Sequence, residues 1–228
     1  KFLRLTVKPL WRRGVSVPQL RAKVAMVDGW LARSGANPAP TRIDAGGVAV
    51  DRIGPDWTSA PGVILYLHGG AFCFDMPAPY RRLASSLSQR SGMSVLLPDY
   101  RLAPEHPFPA GLDDCSAVYR WLLDKGLRGQ QLVLMGDSAG GNLALGTLMR
   151  ARDAQLPMPC CAVLFSPTTD MSGGSPSLEG NEASDPIFSR WALAFVKGLY
   201  IPDTPAEHRE VSPLLSDWQG LPPLLVQA

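Results

Sequence analysis

Histidine is the scarcest of the chemistry-bearing residues in this chain: three among 228, His68, His106 and His208. Cysteine is hardly commoner. Cys73, Cys115, Cys160 and Cys161 show no Cys-x-x-Cys spacing, which excludes zinc-finger and disulfide-scaffold classes. They read as reduced, mostly buried thiols of a cytosolic protein, with Cys73 a small core residue. No strictly apolar run exceeds about six residues, far below the ~20 needed to cross a bilayer, so no membrane span is expected. An excess of one charge is lacking too. Lys and Arg number 22 against 20 Asp and Glu, a formal +2, and no basic cluster interleaved with aromatics offers a nucleic-acid surface. Internal repeats, low-complexity tracts and Gly-rich phosphate loops are absent. Asp113 and Asp114 lack His or Cys neighbours at ligand spacing and read as carboxylates at a helix start, so neither metal nor cofactor is expected.

What is present suits one hydrophobic core: 46% of residues are hydrophobic and 18% charged. Apolar runs place strands near Gly47 to Ile53, Gly62 to Leu67, Ser94 to Pro98, Gln131 to Met135, Cys161 to Ser166 and Pro223 to Gln227. Helical periodicity falls between them, around Pro79 to Ser91, Leu112 to Lys125, Asn142 to Gln155 and Ser189 to Leu199. An earlier helix, Val17 to Ser34, carries Leu20, Val24, Val27, Trp30 and Leu31 at helical spacing and ends at Gly35. Lys1 to Arg13 lacks the apolar core and cleavage site of a secretory signal and reads as an amphipathic segment. Strands alternating with helices imply an α/β fold, a mostly parallel sheet with helices on both faces and loops of functional interest at the carboxyl ends of the strands.

Two motifs fall at such ends. Gly136-Asp137-Ser138-Ala139-Gly140 joins an apolar run to a helix, and a serine on that turn has its hydroxyl lifted clear of the sheet; side chains at the flanking glycines would strike the neighbouring strand or helix. Ser138 is therefore the expected nucleophile. About seventy residues upstream, the strand ending at Leu67 runs into His68-Gly69-Gly70-Ala71-Phe72, an oxyanion-loop signature. Backbone N–H groups meet a developing negative charge only where side chains leave room. Gly69, Gly70, Ala71 and Ala139 are the expected oxyanion-hole residues, with the N–H groups of Gly70, Ala71 and Ala139 as donors.

Together with Asp99-Tyr100-Arg101-Leu102-Ala103-Pro104-Glu105-His106-Pro107-Phe108-Pro109-Ala110 and the pair Asp113-Asp114, these segments resemble the hormone-sensitive-lipase family of α/β hydrolases, in its bacterial carboxylesterase branch. The resemblance runs from roughly Ser16 onward. It implies an α/β-hydrolase core over 41–228 beneath an amino-terminal helical cap over 1–40. It also implies hydrolysis of short- to medium-chain acyl esters through an acyl-serine, without a cofactor. A small-molecule ester is the implied partner, a homodimer is compatible with the family, and a ligand-binding pseudoenzyme of the same fold is the alternative. In such proteins the acid and the histidine follow the serine in that order, at positions expected beyond Ala228, so the chain alone is expected to be inactive and to lack its last strand and helix. His208, oriented by Asp170 or Asp185, is the only substitute after Ser138; His68 and His106 read as loop-holding residues. The 100–110 segment is expected to be a rigid loop whose Arg101 and Glu105 tie its own backbone. The helix with Trp191, Phe195 and Leu199 is expected either to line the acyl pocket or to pack on the sheet.

Overall fold

The computed structural model describes residues 8, 11, 14–34 and 38–228. Among them seven strands form one sheet: β1 (Thr41–Asp44), β2 (Ala49–Ile53), β3 (Val63–Leu67), β4 (Ser94–Pro98), β5 (Leu132–Asp137), β6 (Cys161–Phe165) and β7 (Leu224–Gln227). The helices are α1 (Val17–Arg33), α2 (Pro77–Ser91), α3 (Ala110–Asp124), α4 (Ala139–Asp153), α5 (Pro176–Gly180) and α6 (Arg190–Tyr200). The strand order is β1-β2-β4-β3-β5-β6-β7. From β4 to β7 all neighbours are parallel, whereas β2 pairs antiparallel with both β1 and β4.

Every residue of β3 and β4 is buried, which is why their sequences are continuous apolar runs rather than alternations. The period of two survives in the packing. Val63, Leu65 and Leu67 enter the larger core with Leu112, Leu143 and Leu148, while Ile64 and Tyr66 enter a smaller one with Val95 and Met135 on the other face. Truncating a central side chain such as Leu65 to alanine would cost about 3 kcal/mol.

β1 gave no sequence signal. Thr41-Arg42-Ile43-Asp44 is an edge strand with three exposed positions, so its only pattern is pairing to β2, helped by Arg42 bonding to Asp51 and Asp99. α1 forms where expected: Ser16 and Gln19 exchange side-chain and backbone hydrogen bonds in a capping box. Its apolar face differs from the expected one. Val17 and Leu20 are buried, but Val27 and Trp30 stand 46% and 61% exposed, because α1 lies outside α2 and covers only a narrow stripe. Cys73 and Cys115 are buried as expected; Cys160 is exposed and Cys161 half-buried, since they open β6 near the sheet margin. Among the described residues no helix is long and apolar enough to cross a membrane.

Candidate active site

β5 ends at Asp137 and α4 begins at Ala139, leaving Ser138 as the single residue of the turn. Its φ of 51° and ψ of −118° are unfavourable for a side chain with a Cβ, and the surroundings hold it there. The Ser138 N–H donates to Phe165 O at 2.9 Å, and its carbonyl accepts the N–H groups of Asn142 and Thr168. A Cβ at Gly140 would lie 2.0 Å from Leu67 O, so only glycine lets α4 approach β3 this closely. α4 starts three residues before the expected Asn142. Ala139-Gly140-Gly141 has little helix propensity of its own, and packing on the sheet overrides it.

The facing loop has three successive positive φ angles: Gly70 at 130°, Ala71 at 53° and Phe72 at 58°. Gly70 O accepts the N–H groups of Cys73 and Phe74. Among the described residues, no protein acceptor takes the N–H of Gly70, Ala71 or Ala139. The N–H of Gly69 is different: it donates to Asp137 Oδ1 and to the Tyr80 hydroxyl, both at 2.9 Å. Of the four expected oxyanion-hole residues, Gly69 is thus the one whose N–H already has acceptors within the protein.

Asp137 was not singled out in the sequence, yet it joins the two motifs. Besides Gly69, its carboxylate accepts the hydroxyls of Tyr66 at 3.1 Å and Tyr80 at 3.0 Å. Burial, and next the Asp137 charge, push both phenols far above their ordinary range, so they remain donors at any working pH. His68 is buried, with Nδ1 2.6 Å from Gly69 O and its ring stacked on Tyr100 at 4.3 Å. Tyr100 in turn donates to His68 O at 2.7 Å. The loop is thus held from both sides.

A family model described as alpha/beta hydrolase fold matches residues 64–228. The chain belongs to the α/β-hydrolase family. It is 39% identical over 164 residues to a Streptomyces hygroscopicus protein named acetyl-hydrolase, covering 72% of this chain and 55% of that one. The solved structure of EstE5 superposes with a TM-score of 0.89 at 36% identity, over 100% of this chain and 75% of the other. An esterase from the bacterial hormone-sensitive lipase family superposes with a TM-score of 0.86 at 32% identity, over 99% of this chain and 74% of the other. The chain spans less than two thirds of the length of the curated relatives it matches first.

In this α/β hydrolase, Ser138 and Ala71 open into a cavity of about 430 Å³. Its apolar lining includes Phe72, Met171, Leu178, Phe188, Leu193 and Val196, with Asp170, Arg190 and Lys197 as charged members. α6 contributes both to the core and to the cavity lining. Phe195 and Leu199 pack on the core and Trp191 stacks on Phe195, while Leu193, Ala194, Val196 and Lys197 line the cavity.

No histidine lines this cavity. His208 packs edge-on against Phe108 at 5.4 Å, and its Nδ1 accepts the Glu210 N–H at 3.3 Å. Neither expected orienting carboxylate touches it: Asp170 accepts Ser172 N–H, and Asp185 accepts the N–H groups of Ile187 and Phe188. Among the described residues no group of three His, Cys, Asp or Glu converges as a metal site would.

The 100–110 loop also differs from expectation. Arg101 and Glu105 do not form a pair within it. Arg101 binds Asp114 of α3 through both side chain and backbone N–H, reaching its own loop only at Ala110 O, while Glu105 receives both terminal nitrogens of Arg21 from α1. Asp113 pairs with Arg150 of α4 at 2.6 Å. Asp113 stands in the first turn of α3, as expected of a carboxylate at a helix start, and the two carboxylates also clamp α3 to the 100–110 loop and to α4.

Proposed function

We propose that the intact protein is a serine carboxylesterase acting on short- to medium-chain acyl esters. The observation that carries this reading is Ser138 on its strained turn, at the end of the sheet where the N–H groups of Gly70, Ala71 and Ala139 are left without acceptors. Ser138 Oγ attacks the ester carbonyl carbon, the carbonyl oxygen takes the negative charge, the alcohol leaves, and water later releases the acid from the acyl-serine. The three N–H donors stabilise that oxygen, each by about 3 kcal/mol of barrier. The N-terminus of the 15-residue helix α4 adds a positive potential at the same place. In this reading the base that takes the Ser138 proton is none of the three histidines of this chain, and Gly69 positions the loop without touching substrate. The cavity, lined by Leu178, Phe188 and Leu193, suits an acyl chain. Four free cysteines favour a reducing, cytoplasmic setting.

EstE5 has also been crystallised after soaking with p-nitrophenyl butyrate, which makes that ester the natural first assay. The intact protein, including any residues flanking positions 1–228, should hydrolyse it, and Ser138→Ala should lower kcat by about four to six orders of magnitude. Retention of most activity by the variant would remove Ser138 from the chemistry. Saturable binding of the ester by a wild type that never turns it over would identify a ligand-binding pseudoenzyme instead.

A further inference from the structure

Seven of the 22 basic side chains and none of the 20 acidic ones lie in residues 1–27. Among the described residues of this segment, Lys8 and Arg21 are engaged within the fold. Lys8 donates to Glu182 O and Asp185 O, and Arg21 to Cys73 O, Ala103 O and Glu105. Lys23, on α1, is exposed. On the outer face of α1, Lys23, Met26, Val27 and Trp30 recur at i, i+3, i+4 and i+7, a single stripe, with exposed Arg33 beyond it. Met26 is 67% exposed, Val27 46% and Trp30 61%. The one acid of the helix, Asp28, is turned the other way and accepts the Ala78 N–H at 2.8 Å. The stripe is therefore apolar at its centre, basic at both ends and free of negative charge.

We propose that this face of α1, with Lys23 and Arg33 at its ends, docks on an anionic lipid surface. An indole beside aliphatic side chains and flanked by cations fits the boundary between headgroups and acyl chains, where the apolar part enters and the cations meet lipid phosphates. The charge distribution disfavours the other occupants. A second copy of the chain would bring Lys23 and Arg33 against like charge, and a nucleic acid would leave Met26 and Val27 without a contact. The location gives docking a consequence. Arg21 ties α1 to Cys73 O, two residues beyond Ala71, and Trp11 packs on Phe188 of the cavity lining at 5.5 Å. A surface that holds α1 lies beside the rim of the cavity. Docking itself does not depend on the esterase reading.

Co-sedimentation of the intact protein with vesicles tests this without an activity readout. Vesicles of phosphatidylcholine with one third phosphatidylglycerol should bind it at least tenfold more tightly than pure phosphatidylcholine, and 0.5 M NaCl should remove most of that difference. Met26→Ser/Val27→Ser/Trp30→Ser changes only exposed side chains and should weaken binding to the anionic vesicles by about tenfold or more with an unchanged circular dichroism spectrum. Lys23→Glu/Arg33→Glu should do the same. Equal binding to both vesicle types, or anionic binding unaltered in both variants, would overturn the proposal. So would a dimer in sedimentation equilibrium that the triple serine variant converts to monomer, because the stripe would then be an interface between copies.

Discussion

The two walls of the cavity are built differently. One is an extension of the sheet: the loop after β3 and the turn after β5 sit on fully buried or nearly buried strands and are cross-linked to each other. Asp137 reaches partners 57 to 71 residues away, Tyr80, Gly69 and Tyr66. The other wall, 170–197, is threaded with short turns of its own. Asp170 bonds to Ser172, Ser172 to Gly174, Asp185 to Ile187 and Phe188, and Ser189 caps α6 at Ala192. The first wall fixes positions to a fraction of an ångström, as chemistry requires. The second gives shape to a pocket, and its cavity-facing exposed positions, such as Leu193, are free to vary without disturbing the core. Substitutions in the sheet wall should therefore change turnover, and those in the helical wall should change which ester is accepted.

Gly70→Val should produce the largest of these effects. A Cβ at this position, where φ is 130°, would meet Phe74 O at 2.1 Å, so the loop must shift and carry its donors away. kcat should fall by about 10²- to 10³-fold with little change in KM, the signature of an interaction stronger in the transition state. A rise in KM alone would make the loop a binding element and erase the contrast between the walls.

Asp137→Ala comes next. It leaves the Gly69 N–H and two tyrosine hydroxyls without their shared acceptor, which should cost about 1–3 kcal/mol of stability by denaturant titration. kcat should fall by about tenfold to a hundredfold as the oxyanion loop loosens relative to Ser138. A variant destabilised to that extent but fully active would show that Asp137 serves the fold alone.

The smallest effect sharpens the other side. Leu193→Trp adds bulk on a half-open position of α6 that lines the cavity. Hexanoate esters should lose about tenfold in kcat/KM while acetate esters change little. Equal losses for both would mean that α6 acts on the reacting centre and not on the acyl chain.

The sheet wall was also the more legible of the two in the sequence. Gly136 to Gly140 and His68 to Phe72 are contiguous, and each carries its reason locally, in glycines where Cβ atoms do not fit. β3 and β5 announced themselves as buried apolar runs. The tie between them was invisible, because Asp137 looks like an arbitrary residue until Tyr66 and Tyr80 are brought beside it. Arg101 and Glu105 misled for the same reason: their place in a short loop suggested that they tie its own backbone, and folding gave each a partner from a helix, Asp114 and Arg21. Periodicity along α1 showed a shared spacing for Leu20, Val24, Val27 and Trp30, but spacing does not say how wide a stripe the neighbour covers. β1, short and exposed, had no apolar pattern to read.

The most direct test of the central claim, that Ser138 is the nucleophile held by the sheet wall, is peptide mass spectrometry after reaction of the intact protein with a p-nitrophenyl alkylphosphonate. One phosphonyl adduct per chain should form, on the peptide containing Ser138, and none on the Ser138→Ala protein. An adduct on any other residue, or esterase turnover with no adduct at Ser138, would contradict the account.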